Sequence, residues 1–318
     1  MDHLPLVAAA AAFAVITGAN DGASLIATNL SSKAMRPLIA LLLLVAVVIT
    51  GPFLLGTAVA TTLANGLVGF NQAGGDEALL LAIGVAVGLM FVLSRLGLPS
   101  SVTHALTGAI IGIGIGRGLP VDLGVVGKVI VVLVAAPTVA GLLGALLAAL
   151  LVRFPPPDDI RRHLQRLHAI SFACQCLAYA ANDCQKMIAL FAVALGLVAT
   201  RVELDPGVQV AIGALFFLGT LIGISGLGAR IGRLLPVRPL NAISAGYASS
   251  VAVFGSALLG APVSMAQSSA AALVGSEATL VTYRRVRWEQ AIRIVSTWVT
   301  TLPTALVVAA IIGFSTRR

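Results

Sequence analysis

Two Asn-Asp pairs lie inside apolar stretches of this sequence. The first pair is Asn20-Asp21 in the stretch GANDG, and the second is Asn182-Asp183 in the stretch AANDCQK. A carboxylate surrounded by hydrocarbon is costly unless it is paired or solvated, so residues of this kind tend to be functional. An amide oxygen beside a carboxylate oxygen suits a hard cation such as sodium, or a proton. We therefore expect both pairs to bind a cation; the alternative is that each Asp caps a helix break or pairs with a lysine.

Two stretches that begin with Pro and contain hydroxyl side chains are candidate anion sites. They are PSSVTHA at 99–105 and PVSMAQS at 262–268. Pro favours the first turn of a helix, where free backbone N–H groups carry a partial positive charge and Ser or Thr adds hydroxyls. Such a site holds an anion without arginine, whereas the alternative is a plain helix start or a packing motif of small residues. The candidate anion ligands are Ser100, Ser101, Thr103, Ser264 and Gln267.

Lys186 and His104 are the ionisable residues closest to these motifs in the sequence. Lys186 follows Asp183 by three residues, which places both side chains on one face of a helix. Its ammonium could neutralise Asp183 or attract an anion, and the sequence leaves both open. His104 could be linked to proton movement or could be a buried histidine with satisfied hydrogen bonds.

The elements that must position these motifs are membrane helices. The chain is 58% hydrophobic, only 10% charged, and has a mean hydropathy of +1.03, which is too apolar for a soluble domain. A bilayer core is spanned by about 20 apolar residues. We predict ten apolar segments, at about 4–32, 37–65, 78–96, 99–117, 122–152, 169–200, 206–229, 238–260, 262–282 and 289–315. The net charge of +8 lies mainly in short loops between them, which argues against a nucleic-acid partner.

Several landmarks recur at a nearly constant offset along the chain. The Asn-Asp pairs are 162 residues apart, and the triplets at 99–101 and 262–264 are 163 apart. Lys128 and Arg293 are 165 apart, and the triplets Ala-Pro-Thr at 136–138 and Leu-Pro-Thr at 302–304 are 166 apart. An internal duplication is the simplest explanation. It divides the chain into an N-terminal transmembrane repeat at 1–153, a linker at 154–168 and a C-terminal transmembrane repeat at 169–318.

Charge placement predicts how the two repeats are oriented. Each repeat has five segments, an odd number, so the second repeat is inverted relative to the first if every segment crosses. With the N-terminus outside, 13 basic residues fall in inner loops and 4 in outer loops, as the positive-inside rule requires. The segments 99–117 and 262–282 are either broken crossings or re-entrant hairpins. The predicted fold is all-α, a polytopic transmembrane bundle with two inverted repeats.

The sequence offers no residue set typical of an enzyme or of a bound cofactor. Its three cysteines, Cys174, Cys176 and Cys184, share one apolar stretch and imply no disulfide framework. There is no His-Glu-x-x-His motif and no pair of catalytic carboxylates. We expect neither enzymatic activity nor a cofactor.

The four motifs together resemble the PiT family of inorganic phosphate transporters. Each half of that family carries Gly-Ala/Ser/Thr-Asn-Asp followed later by Pro-Val/Ile-Ser-Thr-Thr-His. The resemblance covers almost the whole chain and implies symport of phosphate with sodium or protons, and a homodimer. The site residues it implies are Asn20, Asp21, Ser101, Thr103, Asn182, Asp183 and Ser264. This chain departs from the family pattern in both motifs. Val102 replaces the first Thr of the first motif, and Met265, Ala266 and Gln267 replace Thr, Thr and His in the second.

These observations predict a secondary active transporter of the cell membrane that imports inorganic phosphate, with its linker in the cytoplasm. Phosphate would contact the hydroxyl residues named above, Gln267, Asp21 and Asp183. The coupling cation, sodium or a proton, would bind Asn20, Asp21, Asn182 and Asp183. The alternatives are transport of another oxyanion such as sulfate, transport of a metal–phosphate complex, an anion channel and an intramembrane enzyme.

Overall fold

A computed structural model of the protein describes residues 3–32, 35–70, 72, 74–96, 98, 101–153, 160–225, 239–281 and 288–317. Within these residues the regular structure is helical, and extended backbone pairing is limited to two isolated bridges, Val68 with Val121 and Val198 with Val202. The all-α prediction is therefore confirmed.

The helices of the first half contain two breaks. They are α1 (Leu4–Thr17), a π-helical turn (Gly18–Gly22), α2 (Ala23–Ser32), α3 (Pro37–Leu55), α4 (Ala58–Thr61), a second π-helical turn (Thr62–Gly66), α5 (Gly75–Arg95), α6 (Val102–Arg117) and α7 (Leu123–Arg153). The predicted segment 4–32 is thus one helical run with a π-turn at the Asn-Asp pair. The segment 37–65 breaks at Gly56, whose φ of 80° lies in the left-handed region that glycine adopts most easily.

The described helices of the second half are six in number. They are α8 (Ile160–Ala181), α9 (Cys184–Ala194), α10 (Pro206–Ser225), α11 (Pro239–Leu258), α12 (Met265–Val281) and α13 (Trp288–Ser315). The predicted segment 169–200 is split by a turn at Asn182 and Asp183. The predicted linker 154–168 falls partly outside the described residues, and its portion from Ile160 is already the start of α8.

Six helices of the described chain are long and apolar enough to cross a bilayer. They are Leu4–Ala27, Pro37–Leu55, Gly75–Arg95, Leu123–Arg153, Pro206–Ile224 and Val295–Ser315. Large apolar side chains on these helices, such as Leu54, Val131 and Leu142, are exposed on the surface of the protein. Water does not favour such a surface, whereas lipid does. The protein is therefore a multi-pass membrane protein.

Helices of one half pack mainly against helices of the other. α6 packs against α13, and α12 packs against α7 in the reciprocal arrangement. Both contacts depend on glycine, because a Cβ at Gly108 or Gly112 would collide with the backbone of α13 and one at Gly144 with the backbone of α12. Small residues allow membrane helices to approach this closely. The two halves are therefore interlocked.

The segments predicted as outer loops meet at one end of the bundle. Val68 bridges to Val121, and the Asn65 amide donates to the carbonyl of Ala199 over 3.2 Å. Arg117 forms a salt bridge of 3.1 Å with Glu77 at the same end. These segments come from both halves of the chain, and their convergence is what five crossings per half would produce.

Candidate functional site

The first Asn-Asp pair lies on the π-helical turn between α1 and α2. Wider turns of this kind occur frequently at functional sites. The amide of Asn20 donates to Oδ1 of Asp21 over 2.7 Å. The other carboxylate oxygen, Oδ2, is buried and has no hydrogen-bond partner among the described residues. One oxygen of this carboxylate is thus held in place while the other is unoccupied.

Two glycines allow this turn to lie directly against α10. A Cβ at Gly18 would collide with the carbonyl of Phe216, and a Cβ at Gly22 with the side chain of Thr220. Glycine is therefore needed on both sides of the Asn-Asp pair for close helix packing as well as for the wide turn. This packing fixes where Asp21 lies in the bundle.

The second Asn-Asp pair lies at the turn between α8 and α9, and its polar atoms hold the segment that leads into α12. The Asn182 amide donates to the carbonyl of Ala261, and its oxygen accepts from the backbone N–H of Val263, both over 2.9 Å. Asp183 Oδ2 accepts from the backbone N–H of Met265 over 3.1 Å. The pair is fully buried and acts as a brace for residues 261–265.

Lys186 is fully buried and forms an ion pair with Oδ1 of Asp183. Of the two roles that the sequence leaves open, the structure has the one in which the ammonium neutralises the carboxylate. Removing one partner of a buried ion pair leaves an uncompensated charge, which is strongly destabilising. Met265 bonds Asp183 through its backbone N–H and lines the same small cavity as Asp21, so the two carboxylates adjoin one residue. The charged residues singled out in the sequence therefore share one buried region.

The candidate anion motifs form the starts of α6 and α12 in the same way. Ser101 Oγ accepts from the backbone N–H of His104 over 3.3 Å, and Ser264 Oγ accepts from that of Gln267 over 3.4 Å. Because these serines cap the first turns, α6 begins at Val102 and α12 at Met265, three residues after the motif prolines. Pro99 and Ser100, which were expected to open the first motif, lie outside the described residues.

The two anion motifs contact each other through Thr103. Its hydroxyl donates to the carbonyl of Val263 over 3.0 Å, and all of these groups are buried. His104 Nδ1 lies 3.0 Å from Ser101 Oγ, so the histidine has a hydrogen-bonding partner within its own motif. The equivalent residue of the second motif, Gln267, has a buried amide nitrogen without a partner in the described chain. Two helix starts thus converge on one another, with different side chains at matching positions.

A small cavity of about 10 Å³ lies beside Asp21. Residues from both halves line it, namely Asp21, Ser24, Leu25, Tyr179, Met265, Ala266 and Ser269. Four of these carry side-chain oxygens, and the hydroxyl of the fully buried Tyr179 has no described partner. A space of this size holds one water or one small ion. The cavity therefore connects the first Asn-Asp pair with the start of α12.

A second cavity, of about 400 Å³, opens beside His104 and Gln267. The other residues that line it are mostly apolar and come from α7, α12 and α13, including Pro137 and Pro303. It has the volume for a solute, but few of its lining side chains, Gln267 and Trp298 among them, can donate a hydrogen bond to an oxyanion. The donor-rich region is at the helix starts.

Three buried amide residues that were not predicted support the broken helices. Gln185 accepts from the N–H of Ala60 and donates to the carbonyl of Gly56, both over 2.9 Å, and so spans the break after α3. Gln175 bonds the hydroxyls of Ser249 and Ser269, while Gln209 bonds a carbonyl of α3. A buried amide within an apolar segment is the sequence signal that could have identified them. Tyr179 was also missed, because the sequence gives no sign that it lines the same small cavity as Asp21.

Comparison with known proteins gives consistent results across the chain. The phosphate transporter family model matches residues 17–161 and 155–309. A "Probable low-affinity inorganic phosphate transporter" of Bacillus subtilis is 29% identical over 97% of this chain and 95% of its own length. A protein of the same description from Mycobacterium bovis is 32% identical over 96% of this chain and 76% of its own length. The solved structure described as "The sodium-dependent phosphate transporter" has a TM-score of 0.82, with 16% identity and 98% coverage of both chains, which shows the fold.

Proposed function

The chain belongs to the phosphate transporter family, and we propose that it imports inorganic phosphate by symport with sodium or protons. The two converging helix starts, linked by Thr103 and Val263 beside two buried carboxylates, are the observation that carries this proposal. The comparisons also support it: similar proteins are named as inorganic phosphate transporters, and the similar solved structure is named as a sodium-dependent phosphate transporter.

In the proposed binding mode, phosphate lies between the starts of α6 and α12. Backbone N–H groups at a helix N-terminus and nearby hydroxyls bind phosphate without a cationic side chain. The hydroxyl ligands would be Ser101, Thr103 and Ser264, joined by the amide of Gln267 and by Ser100, which precedes α6. The second motif has Met265 and Ala266 where the first has Val102 and Thr103, so it contributes fewer hydroxyls.

The carboxylates would make phosphate binding depend on a cation. Asp21 and Asp183 lie beside the proposed anion position, and like charges repel strongly where water is excluded. We propose that the Asn-Asp pairs bind the coupling cation and so remove this repulsion. Phosphate would then bind well only when the cation is present, which is the requirement for symport.

Alternating access would follow from movement of the two repeats, 1–153 and 169–318, against each other. In this proposal the second repeat is inverted, the N-terminus lies outside, and the linker lies in the cytoplasm of the cell membrane. The reciprocal packing of α6 with α13 and of α12 with α7 supports the repeat, and the shared end of the predicted outer loops supports the topology. A homodimer, implied by the family resemblance, belongs to the same proposal and is tested by crosslinking in liposomes.

The test is uptake of labelled phosphate by the purified protein in liposomes, with the sodium gradient and the pH gradient varied independently. We expect saturable accumulation against the phosphate gradient, and its loss in Asp21→Asn and in Asp183→Asn. Accumulation that survives in both variants would refute the mechanism.

The same assay separates the alternatives. Excess sulfate that displaces phosphate would indicate another oxyanion, an interpretation that the hydroxyl-poor second motif keeps open. A requirement for divalent metal would indicate a metal–phosphate complex. Flux that only follows the anion's own electrochemical gradient would indicate a channel, and chemical change of the solute would indicate an enzyme.

A further inference from the structure

Ser24 and Lys186 occupy equivalent positions in the two repeats. Each follows the aspartate of its Asn-Asp pair by three residues, and the two are separated by the same 162 residues as the pairs themselves. A side chain three residues along a helix lies next to the first, so both positions adjoin their carboxylate. One repeat has a hydroxyl there and the other an ammonium.

Both oxygens of the carboxylate in the second repeat have a partner. Lys186 takes Oδ1 of Asp183, and the N–H of Met265 takes Oδ2. The amide of Asn182 is also used at both ends, by Ala261 and by Val263. A free cation at this pair would have to share each oxygen with an existing partner and would be repelled by the ammonium of Lys186.

The carboxylate in the first repeat has an oxygen without a described partner, and Asp21 lines a small cavity. Asp21 Oδ2 is buried, and the cavity is also lined by Ser24, Tyr179 and Ser269, which carry side-chain hydroxyls. Hard monovalent and divalent cations are bound by oxygen ligands of this kind. Tyr179 is fully buried and its hydroxyl is likewise unpartnered in the described chain, so two orphaned polar groups lie at one small space.

We propose that Lys186 is a tethered cation that replaces a coupling ion in the second repeat, so that the Asn-Asp motifs bind a single free cation, at Asp21. This inference rests on the proposed function and makes it more specific. The buried region contains two carboxylates and one ammonium, and one monovalent cation at Asp21 completes the neutralisation. Phosphate would then bind next to a site in which the charges of the two carboxylates, Lys186 and the bound cation sum to zero.

The experiment exchanges the residues at the two equivalent positions. Lys186→Ser gives the second repeat the hydroxyl of the first, and Ser24→Lys gives the first repeat the ammonium of the second. Phosphate binding and uptake are measured while sodium is titrated against choline at fixed pH, and while pH is titrated at fixed sodium. Lys128→Ser is the matched control, because Lys128 is exposed and its ammonium bonds a backbone carbonyl, that of Leu259, and neither carboxylate.

We expect the cation dependence of the wild-type protein and of Lys128→Ser to have a Hill coefficient of about 1, and that of Lys186→Ser to approach about 2, since this coefficient is bounded by the number of sites. Ser24→Lys is expected to bind phosphate without sodium and without a response to pH, and to lose gradient-driven accumulation. An unchanged Hill coefficient in Lys186→Ser, together with retained cation dependence in Ser24→Lys, would overturn the proposal.

A stability measurement covers the case in which Lys186→Ser folds poorly. A ligand that binds only the folded state stabilises it by mass action. The melting temperature of Lys186→Ser should be reduced in choline and should rise more steeply with sodium, or with acidification if protons couple, than that of the wild type. Parallel curves for the two proteins would contradict the inference. Phosphate uptake by the wild-type protein that depends on neither sodium nor pH would instead refute the proposed symport. The inference of a single free cation would then fall as well, since it rests on that function.

Discussion

The two Asn-Asp pairs have the same sequence and different surroundings. Asn182 and Asp183 use all their side-chain polar atoms, on backbone groups of residues 261–265 and on Lys186. Asn20 bonds only its neighbour in the described structure, and Asp21 keeps an oxygen free beside a cavity. The same motif therefore braces the backbone in one half of the chain and keeps a carboxylate oxygen without a described partner in the other. Equivalent substitutions in the two pairs should have different consequences.

Loss of the second carboxylate should have the largest effect. Asp183→Asn leaves the ammonium of Lys186 buried without a counter-charge, and breaking a buried pair in this way costs about 3–5 kcal/mol. We expect a large fall in yield and melting temperature, measured by fluorescence-detected size exclusion during heating. The double variant Asp183→Asn with Lys186→Met removes both charges, and it should recover stability but not transport. A double variant as unstable as the single one would argue against the ion pair as the cause.

Loss of the first carboxylate should separate transport from stability. Asp21→Asn removes a charge whose Oδ2 has no described partner, so the melting temperature should change little or rise. Cation-dependent phosphate uptake should fall about 100-fold, which corresponds to about 2.7 kcal/mol. Initial uptake rates and melting curves of the same preparation check both parts. If Asp21→Asn were as destabilising as Asp183→Asn, the contrast between the two pairs would be wrong.

The packing that positions the first pair should be sensitive to a single methyl group. Gly18→Ala places a Cβ against the carbonyl of Phe216, and overpacking of this kind costs about 1–3 kcal/mol. Gly84→Ala is the matched control, because an added Cβ there meets no atom within 4 Å. We expect a lower melting temperature and impaired uptake for the first variant only. Equal melting temperatures would indicate that α10 moves to accommodate the methyl group.

The two helix caps should give small effects of similar size, because each serine accepts the backbone N–H three residues along the chain. Ser101→Ala also removes the partner of His104 Nδ1. Ser101→Ala and Ser264→Ala each remove a cap worth about 1 kcal/mol. Both should also raise the KM for phosphate if the helix starts bind it. Labelled uptake at graded phosphate concentrations measures this, with Ser296→Ala on α13, whose hydroxyl bonds only a carbonyl of its own helix, as the control. A KM change in one variant alone would show that the second anion motif, with fewer hydroxyls, contributes unequally.

Much of the fold could be predicted from the sequence because the bilayer imposes a simple rule. Segments of about 20 apolar residues must form helices that satisfy their own backbone groups. All ten predicted segments contain helix, and the family model matches residues 17–161 and 155–309. The errors were local, at the breaks within 37–65 and 169–200 and at the starts of α6 and α12. Those boundaries depend on Gln185 and on the capping serines, which hydropathy does not register.

The sequence by itself determined the chemistry that is available: two Asn-Asp pairs, two helix starts with hydroxyls, and one lysine beside one of the aspartates. It also determined their order, and the offset of 162 residues that relates the pairs. The tertiary structure decided which oxygens remain free. Asn182 and Asp183 bond the backbone N–H groups of Val263 and Met265, which are about 80 residues away along the chain. Gly18 packs against the carbonyl of Phe216 on α10. A buried polar atom is defined by the partners that packing brings to it. Identical motifs therefore acquired different roles only once the helices were assembled.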